Sequence, residues 1–172
     1  KIGKISEKLT GQKIAIIGLG GTGSYILDLV AKSPVAEIHL FDGDYFLVHN
    51  AFRCPGAPSA AKLRERLKKV ENLKEIYSNM HRNIIAHDDF ITKQNVTELS
   101  GKDFVFLSMD KGTGKKCIVS YLEEQGIPFI DVGIGIHVAE DSLIGIVSTT
   151  TSTNEKRDHV INRVSFTEGG QN

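Results

Sequence analysis

Two rhythms alternate along this chain. Lys13–Ile17 is a continuous apolar run ending in Gly, and shorter-range apolar patterns at Glu37–Phe41, Asp103–Ser108, Ile127–Val132 and Leu143–Thr149 read as further strands. A continuous run such as Lys13–Ile17 predicts a parallel strand buried on both faces. Glu75–Met80 reads as a further strand, third in chain order. Between the strands the period lengthens. Ile26, Leu29 and Val30 recur at helical spacing before Pro34, with Thr22 or Ser24 placed to cap that helix. Ser59–Asn72 predicts a charged helix with Leu63, Leu67 and Val70 on one face, and residues 114–125 predict another. Residues 3–10 read as a short helix, Val96–Leu99 as a helical turn, and 43–57 as a loop rich in Gly, Asn and Pro.

Strands alternating with helices predict an α/β fold, a mostly parallel sheet with helices on both faces. The chain has 172 residues with 40% apolar content, which fits one domain with a substantial core. The pattern places that domain at 1–150. From 151 to 172 the chain turns polar, as a tail or the start of a crossover loop, with a weak apolar segment at 160–166. Lys+Arg and Asp+Glu balance at 21 each, so global charge makes no case for nucleic acid or a membrane surface as partner. Two cysteines, Cys54 and Cys117, cannot build a disulfide framework, and no apolar run reaches membrane-spanning length. A cytoplasmic protein is expected.

Gly18-Leu-Gly20-Gly21-Thr-Gly23 follows the first strand directly and opens the first long helix. Glycines there let the backbone approach a phosphate, and the helix start offers free N–H groups and a favourable dipole. Asp42 ends the second strand, 19 residues after Gly23, where a carboxylate can accept hydrogen bonds from ribose hydroxyls. A Rossmann-like domain binding NAD or FAD explains these features. It leaves Asp44, Asn50, Arg53 and Lys62 without roles.

The order G-x-G-G-x-G, D-x-D (Asp42, Asp44), N-x-x-R (Asn50, Arg53) and a Lys on the next helix resembles the ubiquitin-activating-enzyme superfamily, including the bacterial ThiF and MoeB adenylyltransferases. Ile14–Arg53 matches without a gap, and the stretch from Asp103 to Gly135 resembles the family's later strand-helix-strand unit. The resemblance implies an ATP- and Mg²⁺-dependent adenylyltransferase. It would activate the C-terminal carboxylate of a small ubiquitin-like or sulfur-carrier protein and work as a homodimer; a tRNA-modifying dehydratase of the same superfamily would use the same chemistry on a different carboxylate, a version the balanced net charge does not support. It further implies that Gly18, Gly20, Gly21 and Gly23 cradle phosphates, Asp42 holds ribose, and Asp44 lies near the reacting phosphate. Asn50 and Arg53 would bind phosphate oxygens, Lys62 would be the helix lysine, and Asp110 would hold Mg²⁺. Lys115 stands where the family often carries Arg.

The residue types suit the reaction on chemical grounds. Attack of a carboxylate on an α-phosphate builds charge on oxygens, which Arg53, Lys62 and a metal held by Asp110 can neutralise. A carboxylate nucleophile is already ionised, so no general base is required. Other features fit less well. Gly112–Lys116 resembles a Walker loop, but Met109 stands where its first Gly belongs. His81 and His87 lack partner ligands and read as solvated loop or edge residues. Gly169-Gly170 resembles a ubiquitin-like tail without the fold to precede it. The chain lacks the two Cys-x-x-Cys pairs that bind zinc in many relatives, so no zinc is expected. Residues 150–172 carry no cysteine for a thioester, and Cys54 and Cys117 read as structural. A non-catalytic partner subunit is a further alternative, although such subunits commonly lose the charged residues retained here.

Overall fold

The computed structural model describes residues 2–110, 112–164 and 166. Six strands form one sheet in the order β3-β2-β1-β4-β5-β6. The strands are β1 (Lys13–Ile17), β2 (Glu37–Phe41), β3 (Ile84–His87), β4 (Phe104–Leu107), β5 (Phe129–Ala139) and β6 (Ser142–Ser152). The first five are parallel and β6 returns antiparallel to β5. This is the expected Rossmann-like α/β fold.

Alternation along β1 explains the layering. Ile14 and Ile16 point into a core with Leu27 of α2 (Gly21–Val30), with Ala31 that ends it, and with Val70, Leu73 and Tyr77 of α5 (Lys69–Tyr77). Ala15 and Ile17 point the other way, to Ile118, Val119 and Leu122 of α6 (Thr113–Glu124) and to Leu99 of the 3₁₀ turn Val96–Leu99. Successive side chains on a strand leave opposite faces, so one pentapeptide holds two layers of helix.

Several expectations need correction. Glu75–Met80 is not a strand: Val70, Leu73 and Tyr77 are buried at helical spacing, so its first half ends α5 and its second half is the turn that follows. The third strand lies later, at Ile84–His87. The single helix expected over 59–72 is two, α4 (Ala60–Arg64) and α5. Arg66 adopts φ 49°, and the segment between the helices joins the loop after β2 through Phe46 N–H to Leu67 O (2.8 Å). That loop holds a short helix, α3 (Val48–Ala51).

At the start of α2 neither Thr22 nor Ser24 caps. Gly20 is the N-cap, and Ser24 lies inside the first turn with its hydroxyl donating to Gly21 O (2.8 Å). Leu27 takes the buried position, while Leu29 is exposed. At the N-terminus α1 spans Ile2–Ser6, a shorter helix than expected.

Strand β6 runs to Ser152, past the expected end at Thr149. Beyond it, Arg157 donates to Glu123 (3.1 Å) and Ser152 (3.2 Å), and α7 (Val160–Arg163) sends Val160 into the core beside Val164. The Gly169-Gly170 pair lies outside the described residues. Among those described, no helix is long and apolar enough to cross a membrane.

Candidate nucleotide site

The turn after β1 is shaped by steric need. Gly18 has φ +86°, and a Cβ there would stand 2.7 Å from Ser108 O. A Cβ on Gly23 would stand 1.8 Å from Gly18 O, so the first turn of α2 closes against the loop only without a side chain. Ser108, just past β4, donates its hydroxyl to Gly18 O (2.6 Å). A Cβ on Gly20 would meet nothing within 4 Å, which leaves this position facing open space. The site lies at the carboxyl ends of β1, β2 and β4, where strand order runs outward from β1 in both directions. Ligands of open α/β sheets bind at such a switch point.

Asp42 follows β2 and is buried. Its Oδ2 accepts from Leu19 N–H (2.7 Å) and its Oδ1 from Asp44 N–H (2.9 Å), tying the acidic loop to the glycine turn. Lys69, also buried, donates to Asp44 Oδ2 (2.7 Å) and lies 3.3 Å from both Asp42 oxygens. Its own N–H bonds to Asp44 O (2.9 Å), so the break between α4 and α5 puts the first residue of α5 onto the D-x-D loop. Sequence reading missed Lys69 because it extended one helix through it.

Lys62 is engaged elsewhere. Its ammonium donates to Glu65 (2.9 Å) and Glu75 (2.6 Å). Those two carboxylates, Glu75 first, raise its pKa. The lysine that the structure brings to Asp42 and Asp44 is Lys69, not Lys62.

Arg53 joins the glycine turn from α3. A Cβ on Gly21 would lie 3.4 Å from both Arg53 Cβ and Arg53 O. Arg53 is exposed, and its Nε makes one long bond to His49 O (3.4 Å), leaving the guanidinium terminus available. Asn50 is buried; its Oδ1 accepts from Leu47 N–H (2.9 Å), and its carbonyl accepts from Arg53 N–H (2.9 Å). Asn50 therefore shapes the turn that presents Arg53, with its amide NH₂ as the group left for a ligand.

Asp110 is exposed two residues beyond Ser108. A solvated carboxylate of this kind suits Mg²⁺, which binds through one or two carboxylates together with phosphates and water. Lys115 does not face solvent: it is buried 2.5 Å from Asp131 of β5, an ion pair joining α6 to the sheet.

His87 ends the edge strand β3, as expected of an edge residue, but neither it nor His81 is fully solvated. His81 is buried, with Asn83 N–H donating to its Nδ1 (3.3 Å) and its Nε2 2.9 Å from Val35 O. His87 is half-buried, stacked on Phe41 and 3.0 Å from His39. Cys54 is buried and Cys117 packs partly against the core.

Comparison with known proteins agrees with this fold. The family model for "ThiF family" matches residues 3–151. A tRNA threonylcarbamoyladenosine dehydratase of Haemophilus influenzae is 32% identical over 130 residues, covering 73% of this chain and 49% of that protein. The Escherichia coli enzyme of that name, solved in complex with AMP, superposes with TM-score 0.67 at 26% identity, covering 79% of this chain and 56% of the other. Escherichia coli MccB, solved with AMPCPP and MccA, shares the fold with TM-score 0.67 at 21% identity, covering 80% and 44%. The chain spans about half the length of the curated relatives it matches.

Proposed function

Because the chain belongs to the ThiF family, we propose that it uses ATP to adenylate a carboxylate, releasing pyrophosphate. The observation that carries this reading is the convergence of Arg53 on Gly21 and of Lys69 on Asp42 and Asp44, at the open turn after β1. A redox role would leave that cationic pair unused.

In this reading the backbone N–H groups from Gly20 to Gly23, at the start of α2, receive phosphate oxygens. Open space at Gly20 leaves room for them. Asp42 anchors the loop and accepts from ribose, and the exposed Asp44 carboxylate positions Lys69. A substrate carboxylate oxygen attacks the α-phosphorus, its bond to pyrophosphate breaks, and the leaving group departs with the bonding pair. Charge gathers on phosphate oxygens as this happens. Arg53 meets it from the α3 side and Lys69 from the α5 side, the arrangement that gives electrostatic stabilisation its effect. Asp110 would hold Mg²⁺, which supplies further neutralisation of phosphate charge.

The substrate differs from the one the resemblance implies. The matched relatives do not support a ubiquitin-like or sulfur-carrier protein. Two of them are named for the threonylcarbamoyladenosine of tRNA, and MccB was solved with MccA. A carboxylate borne on modified tRNA is therefore the first substrate to try.

The test is exchange of labelled pyrophosphate into ATP, with and without tRNA carrying threonylcarbamoyladenosine. Substrate-dependent exchange that disappears in Arg53→Ala is expected. Binding of NADH in place of ATP would overturn the reading, and exchange driven only by a carrier protein would move the substrate assignment.

A further inference from the structure

Strand β6 is the last of the sheet, and after Ser152 the chain turns back beside it. This hook is fixed at three points. Thr153 and Lys156 exchange main-chain hydrogen bonds (3.1 and 3.2 Å) across a tight turn. Arg157 ties that turn to Glu123 of α6 (3.1 Å) and to Ser152 (3.2 Å). Val160 and Val164 then anchor the following turn in the core. Between the hook and β6 lies a cavity of about 380 Å³, lined by four threonines between positions 149 and 153 together with Lys156, His159 and Arg163. No carboxylate is among the lining residues. Arg157 is paired with Glu123, whereas among the described residues Lys156 and Arg163 form no ion pair, and both are exposed. His159 is oriented as well: a carbonyl only accepts, so its Nε2 donates to Thr151 O (2.9 Å). Its Nδ1 is buried without a hydrogen-bond partner among the described residues, a gap that native folds seldom leave.

We propose that this cavity binds a phosphate group, at a site separate from the glycine turn. The donor set fits that ligand. The planar fork of Arg163 can take two phosphate oxygens at once, and the Lys156 ammonium adds a compact charge. Threonine hydroxyls can donate to the remaining oxygens. A divalent cation has no carboxylate to hold it there and meets two positive side chains instead. The volume lies in the range of small-ligand sites, roughly 300–1,000 Å³, so it has room for a phosphate with part of what bears it. The chain as a whole is neutral, so the local excess of positive charge belongs to this hook and not to a general basic surface. The two sites share no residue, because β6 stands three places from β1 in the sheet. Two sources present the same chemistry: the backbone of a nucleic acid and a free phosphate ester. The proposal does not rest on the adenylation reading, and its readout needs no ATP.

Two probes test it on the full chain: a fluorescently labelled RNA stem-loop read by anisotropy, and inorganic phosphate read by calorimetric titration. Lys156→Ala with Arg163→Ala should weaken at least one of them by roughly tenfold or more, the scale for losing charge-assisted bonds. Both side chains are exposed, so melting temperature and circular dichroism should stay at parent values. Arg82→Ala with Lys93→Ala removes two exposed charges elsewhere and should not reproduce the loss. Weakened RNA binding, with a salt dependence shallower by about one for each cation removed, would assign a nucleic-acid backbone. Weakened phosphate binding with RNA unaffected would assign a free phosphate ester. Three results would overturn the proposal: neither probe binding the parent, equal losses in the two double variants, or a loss that appears only in Arg53→Ala, at the glycine turn.

Discussion

Lys69 places its Nζ 2.7 Å from Asp44 Oδ2, across 25 residues of sequence, while its backbone N–H bonds to the carbonyl of the same aspartate. Side chain and main chain of one residue thus lock onto another, and Asp42 completes the cluster. The lysine that would meet phosphate charge is held in place before any ligand arrives, which is what electrostatic catalysis requires.

Lys69→Met should lower substrate-dependent pyrophosphate exchange by about 10²-fold or more, the scale for losing one well-placed charge donor. It should also destabilise the fold, since buried Asp42 loses its cation. Lys62→Met removes only surface pairs with Glu65 and Glu75. Its exchange rate should stay within about threefold of the parent, because exposed ion pairs contribute little. Exchange assays with thermal melts check both, and equal losses in the two variants would refute the assignment of Lys69.

The contrast between those lysines shows what was legible in the sequence and what was not. The glycine turn, Asp42 and Arg53 could be read because local rules govern them: a strand end, a tight turn, a fixed spacing. Lys69 could not. Its place depends on a helix break at Arg66, a non-glycine residue with positive φ, and on bonds between the 44–46 and 67–69 segments. Local propensity ran a charged helix straight through that break. The same blindness moved the third strand to Glu75–Met80, where only tertiary burial of Val70, Leu73 and Tyr77 declares a helix.

Glycine replacements should separate fold from function. Gly23→Ala puts a methyl group 1.8 Å from Gly18 O, backbone that cannot yield cheaply, so a loss of about 1–3 kcal/mol or more is expected. Gly20→Ala meets no protein atom within 4 Å. Its melting temperature should match the parent, while ATP binding weakens because the added methyl occupies the open space above the turn. Calorimetric titration with ATP reads this directly. Parent-like affinity in Gly20→Ala would remove the phosphates from that space.

Asp110→Asn should spare ATP binding measured without metal and weaken the Mg²⁺ dependence of exchange. An amide keeps the size of the side chain and removes the charge that a hard cation prefers. A titration of exchange rate against Mg²⁺ should show a higher half-saturating concentration. An unchanged titration curve would take the metal away from Asp110.

The His39–His87 pair sets a pH limit on stability. The two rings lie 3.0 Å apart at Nδ1 and Nε2, with Glu37 3.2 Å from His39 and Glu98 2.9 Å from His87. Burial pushes both imidazoles below their ordinary value of 6.5, outweighing the pull of the two carboxylates. The unfolded chain therefore binds protons more readily than the folded one in this range. The stability from the neutral pair is present above about pH 6.5 and is lost as pH falls toward the folded values. Glu37, Asp28 and Asp158 are held below ordinary carboxylate values, so their own losses come at lower pH. Melting temperatures between pH 7.5 and 5 should fall in the parent and fall less in the double variant His39→Leu, His87→Leu. A parent profile that is flat over that window would mean the pair takes up a proton without opposing the fold.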